Sequence, residues 1–308
     1  MRRLFLSLAA LLTAGCHSAG PRALAPARPD ARDALLTRVS ALPPVGADSS
    51  LILLHVGTPA EYAVGHLPGA RLVSVAQLSV SDTVRKLSIQ MPGADTLRAR
   101  LATLGIGDAS RVVVYVGKDA LYPATRILFT LFYAGLGNRA TLLDGGQGAW
   151  VAAGRALSTA TPPAPQGQLS QLALHSFVVD AEYVQSQIDR AGVSIVDARD
   201  VEFYTGARRG GSAQAPQRAG HVPSAKSVPW TQLYDAELRL KPREELARIF
   251  ASAGVGANDV IIGYCHTGQQ ATAMLFAARS LGRTVLLYDG SYQDWSARTD
   301  LPVEIGRR

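Results

Sequence analysis

The second half of this chain repeats the first. The segment LRARLATLGIGDASRVVVYV, Leu97 to Val116, aligns with LARIFASAGVGANDVIIGYC, Leu246 to Cys265, each residue answered 149 positions later. Upstream, LLHVGTPAEY answers IVDARDVEFY, pairing His55 with Asp197, and GHLPGA answers GHVPSA, pairing His66 with His221. Downstream, LLDGGQGAW (Leu142 to Trp150) answers LYDGSYQDW (Leu287 to Trp295). A duplicated unit of this size means two copies of one fold, and 308 residues at 47% hydrophobic content can fill a core in each. The spacing from His55 to His66 grows by 13 residues between Asp197 and His221, an Arg/Gly-rich insertion private to the second copy.

Each copy reads as an apolar strand, a short helix, a Gly-His-x-Pro turn, an amphipathic helix, a buried strand, a loop, a helix and a strand. After their leading Arg111 and Asp259, RVVVYV and DVIIGY are continuously apolar, which is what burial on both faces of a parallel sheet requires. Alternation with helices at this spacing predicts an α/β fold, each domain a mainly parallel sheet flanked by helices. Ligands of such sheets sit at the carboxyl ends of the strands. The expected organisation is a signal peptide at 1–15, an anchor site and flexible tether at 16–36, a first domain at 37–156, a linker at 157–175 and a second domain at 176–308.

The N-terminal expectation rests on Arg2 and Arg3 before the apolar run Leu4 to Leu12, followed by small residues up to Cys16, the layout of a secretory signal. LTAGC resembles a bacterial lipobox, whose cysteine is acylated, so Cys16 is the expected lipidation site. A plain cleaved signal is the alternative. The resemblance implies a periplasm-facing protein held in the cell envelope by an N-terminal lipid. Loss of residues 1–15 removes Arg2 and Arg3 and takes the net charge from +7 to +5. That excess forms no dense Lys/Arg stripe with interleaved aromatics, so a nucleic-acid partner is not expected. Arg208, Arg209 and Arg218 gather in the insertion and read as solvated loop charges.

Two cysteines occur in 308 residues. With Cys16 assigned to a lipid, Cys265 stands alone, and an exported protein relying on disulfides would carry an even set. Cys265 follows the strand Ile261 to Tyr264 and opens the loop Cys265-His266-Thr267-Gly268-Gln269-Gln270, after which Ala271 to Leu281 has helical spacing. A tight loop around Gly268 turns backbone N–H groups inward, and the helix N-terminus adds positive potential. Both predict a thiolate with a lowered pKa, a nucleophile with its own anion site.

Three signatures, Asp197-Ala198-Arg199 with Phe203-Tyr204 and GHVPSA, the loop CHTGQQ, and YDGSYQDW, resemble those of tandem rhodanese-type sulfurtransferases, the thiosulfate/3-mercaptopyruvate sulfurtransferase family. The resemblance covers about Leu51 to Leu301. It implies two packed rhodanese-like domains, a catalytic cysteine in the second and an inactive first. The first copy has Val116 where the second has Cys265. It also implies that Cys265 takes a sulfur from a donor such as thiosulfate, holds it as a persulfide among the loop amides, and yields it to a thiol or cyanide, with no metal or organic cofactor. The expected partners are therefore a small-molecule sulfur donor and acceptor.

On this reading His266, Thr267, Gly268, Gln269, Gln270 and Arg199 bind substrate, and Asp197 ties its strand end to the loop. A surface ion pair is the alternative for Asp197 and Arg199. Where relatives specific for thiosulfate place a second cation, this chain has Phe203. His66 and His221 read as turn residues, and Trp150 and Trp295 as core. A cysteine phosphatase would need an arginine closing the loop, and the positions after Cys265 hold none. A sulfur-relay module that binds a protein partner without turning over free donor is the rival from another class.

Overall fold

The computed structural model describes residues 31–118, 120–163, 165–213 and 215–306. The expected signal, Cys16 and most of the tether lie outside these residues. In the first half the chain runs through α1 (Ala31–Leu35), β1 (Leu36–Thr37), β2 (Leu51–Val56), α2 (Pro59–Val64), β3 (Arg71–Val73), β4 (Val80–Asp82), β5 (Leu87–Gln90), α3 (Ala94–Thr103), β6 (Arg111–Val116), α4 (Tyr122–Tyr133), β7 (Ala140–Leu143) and α5 (Gly146–Ala152). The second half follows with β8 (Val178–Val179), α6 (Ala181–Ser186), β9 (Val193–Asp197), α7 (Val201–Thr205), β10 (Lys226–Ser227), α8 (Arg243–Ser252), β11 (Val260–Tyr264), α9 (Gln270–Ser280), β12 (Val285–Tyr288) and α10 (Ser291–Ala297).

The two sheets have the same order, β3-β2-β6-β7-β1 and β10-β9-β11-β12-β8, and every pairing in them is parallel. The register repeats as well: His55 lies opposite Tyr115, and Asp197 opposite Tyr264. Each tyrosine hydroxyl accepts the backbone N–H of the Gly-His-x-Pro turn, from Leu67 at 3.0 Å and from Val222 at 3.1 Å. The turn histidines are buried, and each shares a hydrogen bond between Nδ1 and a tyrosine carbonyl, Tyr62 or Tyr204, at 2.8 Å. Trp150 and Trp295 are core residues whose indole N–H groups donate to Ala156 O and Pro302 O.

Helices α4 and α9 carry the contact between the halves. Both are apolar around most of their circumference, with Ala124 to Phe132 and Ala271 to Ala278 buried without interruption. A helix of that kind needs cover on all sides. They cover each other, and a buried bond of 2.9 Å between Thr125 Oγ1 and Thr272 Oγ1 lies between them. One continuous buried cluster consequently runs through both halves.

Three features differ from the sequence reading. The stretch expected to be a free tether up to residue 36 is helical from Ala31, with Leu35 buried and Leu36 paired to Leu142. Arg32 also reaches the second half, donating to Lys241 O at 2.6 Å and Leu240 O at 2.5 Å. The expected linker is pinned to the first half: Ser158 bonds with His66, Gln168 O accepts from Asp108 N, and His175 N donates to Tyr133 O. Finally, β4 and β5 form an antiparallel hairpin in the first half, with no paired strands like it among the described residues of the second. The sequence reading assigns no strands to this stretch, although Leu87-Ser88-Ile89-Gln90 alternates apolar and polar residues.

Candidate active site

Cys265 is the first residue after β11, the middle strand of its sheet, and it is 1% exposed. The chain turns through His266 to Gln269 and enters α9 at Gln270. Gly268 stands at φ +82°, in the left-handed region, and a Cβ there would come within 2.9 Å of Asp289 O. Only glycine takes that turn freely. The result is a loop whose backbone N–H groups from Ala271, Thr267 and Gly268 are directed at the Cys265 sulfur.

The charge state differs from the expectation. Burial pushes the Cys265 thiol up from its ordinary range, and the amides of Ala271, Thr267 and Gly268 offset this only in part. The Asp197 carboxylate acts in the same upward direction. Sequence shows that a helix and a glycine loop follow the cysteine. It does not show that the sulfur is sealed from water, and desolvation is the larger effect.

The loop is held from behind by the segment after β12. Ser291 Oγ accepts from Cys265 N at 3.2 Å and donates to Tyr288 O, while Tyr292 N and Gln293 N donate to the carbonyls of Cys265 and His266 at 2.9 and 3.0 Å. The motif YDGSYQDW is therefore the backing of the cysteine loop.

Asp197 and Arg199 sit beside it, because the parallel register puts Asp197 opposite Tyr264 and lets Ala198 N donate to Tyr264 O at 2.9 Å. They are a buried pair, 0% and 1% exposed in their side chains, and not the surface bridge of the alternative reading. Arg199 Nη2 donates to Asp197 Oδ2 at 2.6 Å and to Gly220 O at 2.8 Å, and Nε donates to both carboxylate oxygens. The guanidinium also lies 4.0 Å over the Tyr292 ring. Burial works against its charge, but Asp197 outweighs that and holds its pKa above the ordinary value.

His266, Thr267, Gln269 and Gln270 are partly exposed. His266 Nδ1 lies 3.0 Å from Gln217 Oε1, an acceptor, which assigns the proton to Nδ1. Burial, aided by the positive charges of Arg199 and Arg208, lowers the His266 pKa to about 4, so the ring is neutral near pH 7. The Oε1 of Gln270 is buried without a partner among the described residues. Phe203 meets His266 edge-on at 4.5 Å, and the Arg208 guanidinium lies 4.8 Å from the centre of the Phe203 ring.

The insertion thus forms one wall of the site, which its composition alone did not reveal. Gly210 packs so closely that a Cβ there would lie 2.8 Å from the His266 ring. Arg218, read as a solvated charge, instead donates to four carbonyls around the end of α10, those of Trp295, Ser296, Arg298 and Leu301. Nothing in the sequence distance between Arg218 and Trp295 signals this pairing. Among the described residues no group of three His, Cys, Asp or Glu side chains could hold a metal ion.

A sequence profile described as the rhodanese-like domain matches residues 44–153 and again 180–298. The chain belongs to the rhodanese family. Two relatives are the 3-mercaptopyruvate sulfurtransferase of Escherichia coli K12, 32% identical over 248 residues (79% of this chain, 85% of the relative), and the thiosulfate sulfurtransferase of Pseudomonas aeruginosa, 31% identical over 265 residues (85% and 94%). Among solved structures, YnjE superposes with a TM-score of 0.75 at 22% identity, covering 87% of this chain and 66% of that one, which is a likeness of fold. In this rhodanese-family chain Val116 occupies the strand end equivalent to Cys265, so the first domain holds no thiol there.

Proposed function

We propose that this protein is a sulfurtransferase that moves a sulfane sulfur from thiosulfate to a thiophilic acceptor through a persulfide on Cys265. The supporting observation is the convergence of the Ala271, Thr267 and Gly268 N–H groups on the buried sulfur. In the first half-reaction the Cys265 thiolate attacks the outer sulfur of thiosulfate. The S–S bond of the donor breaks, sulfite departs with its electron pair, and the persulfide remains. In the second, cyanide or an acceptor thiolate attacks the terminal sulfur and the Cys265 thiolate is restored. The amides stabilise negative charge on either sulfur without reorganising, which is the main source of rate in such a site. Two half-reactions through one covalent intermediate give ping-pong kinetics.

Arg199, buried against Asp197, bears on the donor site through its charge, with Thr267, Gln269, Gln270 and His266 at the partly exposed edge and Gly268 shaping the loop. A second donor, 3-mercaptopyruvate, is favoured by one observation: His266 is neutral and Phe203 is apolar where a dianion would call for more charge. Purified protein lacking residues 1–16 should form thiocyanate from thiosulfate and cyanide, and Cys265→Ser should form none. Comparison of kcat/KM for the two donors decides between them. Absence of product with either donor would leave the relay module, which accepts sulfur without free turnover. We further propose attachment to the envelope, facing the periplasm, through acylated Cys16; Cys16→Ala should move the protein from the membrane fraction to the soluble one.

A further inference from the structure

Arg126 is the single charged residue of α4, and it is 1% exposed. It belongs to the half that has valine in place of the cysteine, yet its guanidinium reaches the cysteine loop. Nη1 donates to Asp289 Oδ1 at 2.6 Å and to Gly268 O at 3.4 Å, and Nη2 donates to Ile89 O at 2.6 Å. Asp289 Oδ2 meanwhile accepts from Met91 N at 2.7 Å. Next to Asp289, Gln293 accepts from Ser88 N and Oγ and donates to Ser88 O at 3.0 Å. The β4–β5 hairpin of the first half is thereby fastened to the segment that backs Cys265.

We infer that Arg126 is a positioning residue, supplied by the silent domain, that sets the cysteine loop for sulfur transfer. Gly268 faces two ways: its N–H is directed at the sulfur and its carbonyl at Arg126. Peptide units are planar, and a glycine in the left-handed region has little conformational preference of its own. Without an outside donor on the Gly268 carbonyl, the two peptides around it are free to rotate and carry the N–H groups off the sulfur. Arginine suits the task because one rigid planar fork serves Asp289 and Gly268 from Nη1 and Ile89 from Nη2, whereas the donors of an ammonium group all leave one rotating atom. The Arg126–Asp289 pair is also shielded from solvent, so its geometry is not loosened by competing water. The inference rests on the proposed persulfide chemistry for its purpose, but its geometry can be tested separately.

The test uses the full soluble chain carrying Arg126→Lys, the double variant Arg126→Met with Asp289→Asn, and Thr125→Val. The double variant leaves no unpaired buried charge. Thr125→Val loosens the same contact between halves and leaves in place the bond from Thr272 Oγ1 to Gln269 O of the loop. The readouts are kcat and KM, and the pH profile of Cys265 alkylation by iodoacetamide. Folded Arg126→Lys and the double variant should lose about tenfold or more in kcat with KM little changed. Their alkylation profiles should move to higher pH, while Thr125→Val tracks the parent protein. If the double variant fails to fold, Arg126→Lys decides alone. Wild-type kcat and a superimposable profile in Arg126→Lys would overturn the inference, and so would an equal shift in Thr125→Val. Because alkylation needs no donor, a parent protein without turnover would sink the proposed function while the profile still reads the loop.

Discussion

Gly268 and Cys265 meet in one loop, and each carries a prediction. Gly268→Ala forces a side chain into the left-handed region, at about 1–2 kcal/mol, and drives a methyl against Asp289 O. The loop must shift, so kcat should fall about 10- to 100-fold in steady-state assays while the fold survives by circular dichroism. Cys265 carries a thiol raised by burial, so its alkylation rate should climb steadily as pH rises from 7 through 9. A plateau already reached at pH 7 would show a thiolate stabilised beyond what these amides provide. At this scale the sequence was informative about identity and silent about solvation. Cys265 stood out by its isolation and its place before a glycine turn, whereas its 1% exposure depends on Ser291, Tyr292 and neighbours far along the chain.

Strand β9 ends at Asp197, and the pair it forms with Arg199 fixes the side of the site next to β11. Asp197→Ala leaves a guanidinium buried among Tyr292, Gly220 and the loop with no counter-charge. Breaking such a pair costs about 3–5 kcal/mol. The melting temperature should drop by roughly 10 °C in calorimetry. A change within error would mean that water reaches Arg199. Elements with strong periodicity were legible: β6, β11, α4 and α9 all fall where the apolar runs place them. The hairpin β4–β5 was not read, because its strands are only three and four residues long and no counterpart in the second copy marks them.

Across the whole molecule the duplication explains more than any single motif. Each half presents one apolar helix to the other, and the half without the cysteine also contributes Arg126 and the hairpin to the loop and its backing segment. It holds as well a buried imidazole, His55, opposite Tyr115, at the place Asp197 takes in the second half. Burial lowers the pKa of His55 to about 4, and His266 reaches about 4 as well, against 6.5 for an ordinary histidine. Between pH 6.5 and 4 the unfolded chain therefore binds more protons than the folded one. Stability should fall as pH drops through that window, read as a declining midpoint of urea unfolding. His55→Gln together with His266→Gln should flatten the slope. The repeat at offset 149 made this architecture legible in advance; the contacts between halves were not, since aligning the copies matches equivalent positions and does not say which side chains meet across the two. The sulfur-transfer account itself is tested most directly by intact mass spectrometry of the protein after incubation with thiosulfate and removal of excess donor. It predicts one added sulfur atom, absent in Cys265→Ser and lost on adding cyanide. An unchanged mass, or an adduct that persists in Cys265→Ser, would contradict it.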